Sequence, residues 1–240
     1  MDKLVRLITK LKDNVNIHYD AGIPELDQSF FTDEDRNRIS ICEDNYKKNI
    51  ELKYILKDKL NGSYSHHDIN FWIINKWGGI RTKNTQENRN ALEAFGDSLS
   101  GVDLSNLDRI SSWSKVASFV DPVNNFIYDS KAVYSLNWLM LKSGYKKDYF
   151  PIPLGRNTKF RLYDLSTIIR LKTKDANPFL DEDKAYKEYC YFINNIYTEI
   201  YKEDLNLNEP FRIEMLLFAS FDVLADEVST CLSLTLNDNN

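Results

Sequence analysis

Apolar side chains recur three and four positions apart through most of the chain, the spacing of helices that bury one face. Between Met1 and Asn14, Leu4, Leu7, Ile8 and Leu11 interleave with Lys3, Arg6, Lys10 and Lys12, which predicts an amphipathic helix. Val15 to Phe31 reads as a loop with a turn at Gly22-Ile23-Pro24. Thr32 or Asp33 then caps a long helix to about Leu60, with Ile39, Cys42, Tyr46, Ile50, Tyr54 and Leu60 on its apolar stripe and Asn61-Gly62-Ser63 as its stop. Ser65 opens a shorter helix carrying Ile69, Trp72, Ile73 and Trp77, which Gly78-Gly79 terminates. A further helix covers about Thr85 to Phe95, and Gly96 to Ser105 connects it to the next segment.

From Asn106 to Leu141 the pattern predicts a short helix closed by Leu107 and Ile110, a tight turn at Ser111-Ser112-Trp113, and a second helix from Lys115 to Val120. Asp121-Pro122 ends that helix, because proline disfavours helix at the residue before it. Phe126-Ile127-Tyr128 is an extended, β-prone run, and Asp129 stands at an N-cap position before Ala132, Val133, Leu136, Leu139 and Met140. Phe150 to Asn157 holds two prolines and is extended. Helices follow over about Tyr163 to Lys172, Asp181 to Lys202 and Pro210 to Leu232, with the last residues frayed. Only 8 glycines in 240 residues, together with these long periodic segments, place the chain in the all-α class.

Cys42, Cys190 and Cys231 lack metal-ligand spacing and read as reduced core residues of a cytoplasmic protein, with no zinc. The first helix is not a signal peptide, since no unbroken apolar core follows its charges, and Asp2 and Asp13 weigh against a mitochondrial leader. No run is long enough to cross a membrane. The net charge of -5 argues against an indiscriminate nucleic-acid binder, but the charge is unevenly distributed. Ser130 to Lys174 carries ten basic residues against two acids, whereas Asp181 onward carries thirteen acids against four bases. The basic segment is either a phosphate-binding face or a solvated helix surface.

The Lys115-Val116-Ala117 and Tyr128-Asp129-Ser130 segments, with the turn before them, resemble the helix-hairpin-helix (HhH-GPD) DNA glycosylases over roughly the middle third of the chain. In that family a lysine at the head of the helix after the hairpin and an aspartate at the head of the next helix face one base pocket. The hairpin here has serines and a tryptophan where the family is rich in glycine, and Lys115 and Asp129 are closer in sequence than is usual.

The resemblance implies a single two-lobed helical domain over 1–240. Residues 64–145 form the central lobe, with the hairpin at about 105–120, and 1–63 and 146–240 form the packing lobe. It implies a glycosylase that flips a modified base from double-stranded DNA and cuts its N-glycosidic bond, with Lys115 as Schiff-base nucleophile and AP lyase. If Lys115 instead contacts phosphate, Asp129 activates water and the enzyme is monofunctional. Ser111, Ser112, Ser114, Lys131 and Arg156 are the candidate phosphate contacts, and Trp77, Arg81, Tyr128, Trp138 and Asn157 the candidate pocket or wedge residues. No cofactor is implied beyond a monovalent cation at the hairpin, and the protein is expected to be a monomer. The substrate is either oxidised guanine or, as in relatives of an antiviral type, a bulky glucosylated hydroxymethyl cytosine of phage DNA.

On residue chemistry alone, an aspartate before a helix is most often only a cap, and Trp77, Tyr128 and Trp138 fit a core equally well. His66-His67-Asp68 reads as capping and surface residues. A non-catalytic helical module that binds DNA or a protein is the alternative from a different class.

Overall fold

The computed structural model describes residues 1–99, 109–145, 148–155, 157–202 and 208–231, for Asn14 the backbone only. The described residues are mostly helical and contain no strand, as the all-α expectation requires; Tyr149 and Phe179 form an isolated bridge. No described helix is long and apolar enough to cross a membrane.

The chain begins with α1 (Asp2–Thr9), a 3-10 turn (Lys12–Asn14) and the short α2 (Val15–His18), the last falling in an expected loop. The long helix expected over 32–60 is two helices, α3 (Asp33–Ser40) and α4 (Asn45–Leu60). Each has its own start signal. Thr32 and Asp35 form a reciprocal capping box on α3, and the Asp44 side chain accepts from Lys47 N to open α4. The apolar stripe runs through both, so periodicity alone hid the break.

Next come α5 (His67–Trp72) and a wide π-turn (Ile73–Trp77), which closes when Gly78 N–H donates to Ile73 O at 2.7 Å. Helix α6 (Gln86–Leu99) runs past its expected end, and Gly96 leaves room for the Tyr64 ring. After it come α7 (Ile110–Val120), α8 (Ser130–Ser143), α9 (Lys159–Leu162), α10 (Leu165–Thr173) and α11 (Glu182–Ile200). The final expected helix is also split, into α12 (Phe211–Ala219) and α13 (Phe221–Cys231). The expected frayed tail lies outside the described residues.

Two helices organise the core. Helix α8 packs against α12, α13 and α1, while α7 packs against α4 and the π-turn. Helix α8 is buried over Ala132–Met140 because its apolar residues occupy nearly the whole circumference. Aromatic rings fill the spaces around it, with Tyr134 edge-on to Phe221 and Phe160, and Tyr128 edge-on to Tyr189. Cys190 is buried and Cys42 half-buried, whereas Cys231 is exposed and so does not belong to the core.

Candidate active site

Helix α7 starts at Ile110 and is unbroken to Val120. The expected turn at Ser111-Ser112-Trp113 is therefore its first turn, and residues 105–108 of the expected hairpin lie outside the described ones. The serines explain the misplacement, since their hydroxyls serve neighbouring backbone rather than a turn of their own. Ser114 Oγ accepts from Tyr128 N at 3.0 Å, and Ser111 Oγ donates to Tyr128 O at 3.2 Å. One turn apart on α7, the two serines clamp both backbone groups of Tyr128. That fixes the next residue, Asp129, against the same helix. Ser112 and Ser114 are buried, so neither can reach a phosphate, and the Ser111 hydroxyl is already engaged.

Asp129 is the N-cap of α8, its Oδ1 accepting from Ala132 N at 2.9 Å. Its other oxygen, Oδ2, stands 3.9 Å from Lys115 Nζ, and the side chains of Lys115 and Asp129 are 9% and 15% exposed. The amine and the acid that the sequence put forward thus lie side by side, both largely buried. Gly78, at the close of the π-turn, packs against the lysine, because a Cβ there would lie 2.7 Å from Lys115 Cδ.

Two further ionisable groups lie beneath this pair, and the sequence reading missed both. Lys53 on α4 is 1% exposed and Glu214 on α12 is 2% exposed. Lys53 Nζ donates to Ser118 Oγ at 3.1 Å and rests over the Phe119 ring at 4.7 Å. Ser118 Oγ in turn donates to the carbonyl of Lys115 at 2.8 Å. Glu214 Oε2 is buried without a hydrogen-bond partner. The signal for both was a charged residue on an apolar stripe. Lys53 lies between Ile50 and Leu56, and Glu214 interrupts Phe211 to Leu217, otherwise broken only by Arg212.

Burial pushes Glu214 up to about 8; Lys53 opposes, Asp129 adds, and Lys115 and the Ile127 amide also oppose. Burial pushes Lys53 down to about 8, with Glu214 opposing and Lys115 reinforcing. Tyr19 and Tyr189 face the same cluster. Burial first, then the Glu214 and Asp129 charges, hold both phenols well above their ordinary value.

The other candidates divide. Arg81 is exposed, just past Gly78-Gly79, and remains available as a wedge. Tyr128 is fully buried, its OH donating to Pro151 O at 2.7 Å, so it lines the core and not a pocket. Trp138 is likewise buried, with its indole N–H directed at Glu227. Trp77 is half-buried, donates to Asn49 Oδ1 at 2.8 Å and packs edge-on to Phe119, which makes it part of the wall under Lys53. Asn157 accepts from Lys159 N at 2.9 Å in a local turn, and Arg156 lies outside the described residues. His67 pairs with Glu93, and no cluster of three potential metal ligands occurs among the described residues.

Three lysines of the basic segment are answered by the acidic one. Lys131 stands 3.9 Å from Asp222 and its ammonium covers the Phe218 ring. Lys159 reaches Asp222 at 3.1 Å and Asp226 at 2.8 Å, and Lys142 pairs with Glu227. Acids of helix α13 thus pair with these three lysines, and Lys131 is not a free phosphate contact. Arg161, Lys172 and Lys174 remain exposed. No protein-family model, curated protein or solved structure matches the chain.

Proposed function

We propose that the chain is a DNA glycosylase of the helix-hairpin-helix type that excises a modified base from double-stranded DNA, with Lys115 as nucleophile and Asp129 as the acid that stabilises the sugar. One observation carries this reading, the 3.9 Å approach of Lys115 Nζ to Asp129 Oδ2. An aspartate that only capped α8 would not need a lysine brought to it from a neighbouring helix, nor a glycine clearing space for that lysine.

The chemistry follows from the groups. As the N-glycosidic bond breaks, the base leaves with the bonding electron pair and takes a proton, and positive charge develops at C1′. Asp129, at the N-terminus of α8, supplies the carboxylate that offsets that charge. Uncharged Lys115 forms the N–C1′ bond, and opening of the C1′–O4′ bond then leaves an iminium and a 4′-hydroxyl. Elimination of the 3′ phosphate from that iminium gives strand cleavage. The flipped nucleotide enters beside Gly78, and the exposed Arg81 fills the gap in the stack. The reading needs no cofactor and takes the protein as a monomer. The substrate is oxidised guanine or a glucosylated hydroxymethyl cytosine.

The test is a panel of duplexes, each holding one modified base, scored for base release, strand cleavage and adducts trapped by borohydride. Asp129→Asn should abolish release, and Lys115→Gln should abolish trapping. Release by Asp129→Asn at the wild-type rate would sink the assignment. The confinement of Lys115 and Asp129 favours one second reading, a non-catalytic helical module that binds DNA or a protein and in which the pair only ties α7 to α8. Salt-dependent binding to unmodified duplex, without release from any member of the panel, would identify it.

A further inference from the structure

Beyond α8 the chain runs Phe150-Pro151-Ile152-Pro153-Leu154-Gly155, and the two prolines stiffen it by fixing φ. This loop is pegged to the elements that present Asp129. The buried Asn137 side chain of α8 takes both backbone groups of Phe150, accepting from its N–H at 3.0 Å and donating to its carbonyl at 2.7 Å. One residue on, the Tyr128 phenol donates to the Pro151 carbonyl at 2.7 Å. At the far end, a Cβ on Gly155 would stand 2.8 Å from Ser130 Oγ and 2.3 Å from the Phe160 ring. Phe160 is itself packed on Tyr134 and Phe221. Tyr128 and Ser130 flank Asp129 in the sequence. The loop is therefore held against the chain immediately before and immediately after the acid.

At the tip stands Leu154, fully exposed and meeting more water than any other large apolar residue among those described. A lone exposed leucine is ordinary. What sets this one apart is the support beneath it. Two prolines, a buried carboxamide and a buried phenol fix the loop, yet they leave its tip side chain wholly in water. A side chain presented on so rigid a support loses little freedom when it meets an apolar surface. The faces of stacked bases are such a surface, and leucine is among the side chains that part them.

We propose that Leu154 is an apolar wedge that enters the base stack beside the extruded nucleotide, from the aspartate's side of the Lys115–Asp129 pair. The inference rests on the glycosylase reading for where that nucleotide goes, but the unstacking is measured without any chemistry. Leu154 holds neighbouring bases apart while Arg81 fills the gap left by the flipped one. Burial of the leucine between base faces offsets part of the stacking that is lost.

The full chain is titrated against a duplex with one tetrahydrofuran abasic site and 2-aminopurine as its neighbour. The tetrahydrofuran carries no base to release, so binding is not followed by reaction, and 2-aminopurine brightens when it is unstacked. Wild type should raise the fluorescence. Leu154→Ala should lose most of that rise at saturating protein and bind about tenfold more weakly. Leu154→Met, apolar and of similar volume, should restore both. The side chain lies outside the core, so the thermal midpoints of all three proteins should agree. Borohydride trapping on a single-stranded abasic oligonucleotide, which has no duplex stack to part, should be the same for wild type and Leu154→Ala.

An equal fluorescence rise with Leu154→Ala overturns the proposal, as does a wild type that leaves the probe stacked. Loss of trapping on the single strand in Leu154→Ala also overturns it, because that marks a damaged site and not a missing wedge. Unstacking that needs Leu154, with no base release or adduct from any duplex, would uphold the wedge and count against the glycosylase reading alone. Base release from duplex by Leu154→Ala at the wild-type rate would do the reverse.

Discussion

The molecule gathers opposite charges in two places, and they behave differently. At the candidate site, Lys53, Lys115, Asp129 and Glu214 lie in a nearly dry interior where no two of them make a tight contact pair. Along α13, Lys131, Lys142 and Lys159 meet Asp222, Asp226 and Glu227 in water, several of them at close range. The seam has the better geometry and the buried cluster the larger energies. In water the gain of each pair is screened and offset by side-chain ordering. In the interior every uncompensated charge is costly, and the cluster responds by shifting protons. Closeness of charges is therefore a poor guide to interaction energy here, and dryness is a better one.

The sharpest way to break the contrast is to remove one charge from each region. Lys53→Ala should destabilise the fold by about 3 kcal/mol or more, through a cavity and the lost hydrogen bond to Ser118. Lys142→Ala should cost less than about 1 kcal/mol. Urea unfolding of the two variants makes the comparison.

The buried side also has a pH signature. A carboxyl whose folded value is raised binds its proton more tightly in the native state. Its contribution is therefore fully present at low pH and is lost as pH rises from its unfolded value of 4.5 through about 8. Wild type should lose stability across that window, and Glu214→Gln should flatten the slope.

Next in size is Ser114→Ala. It leaves the buried Tyr128 N–H without its acceptor and should cost about 1–3 kcal/mol while loosening Asp129. Asp129 itself separates cap from chemistry. Asp129→Ala should lose about 0.5–2 kcal/mol of stability, whereas Asp129→Ser keeps a capping oxygen and should lose far less. If the glycosylase reading holds, both variants abolish base release; a Ser variant that still excises would return Asp129 to the status of a cap.

The smallest effect belongs to the seam. Asp222→Asn with Asp226→Asn frees Lys131 and Lys159 and should steepen the salt dependence of duplex binding by about one unit of slope per phosphate gained, as a filter-binding series would report.

Much of this was legible in the sequence. The helical class followed from apolar spacing, and Asp129 was identifiable as an N-cap from its position before Ala132 and Val133. Lys115 and Asp129 were brought forward by their resemblance to a family pattern, and they lie together. The breaks at Asp44 and Ser220 were hidden because the apolar stripe continues across them; only the capping aspartate marked the first. The Ser111-Ser112-Trp113 turn failed for a physical reason, since serine favours turns only when its hydroxyl has local backbone to serve, and here that backbone belongs to Tyr128. The basic segment left two readings open because charge balance along a chain does not say which helix will lie beside it. Lys53 and Glu214 went unnoticed because a single charged residue among apolar ones is not separated from a surface charge by spacing alone.

The wide turn over Ile73–Trp77 has a consequence for descent and for design. Such a turn holds one residue more than ordinary helical winding, so everything after it is rotated by about 100° relative to a helix lacking that residue. That rotation brings the bare backbone of Gly78, in place of a side chain, alongside the lysine. Deleting a single residue there would restore regular winding and swing a substituted position toward the lysine. One codon gained or lost at this point would thus open or shut the space around Lys115 while α7 and α8 stay as they are.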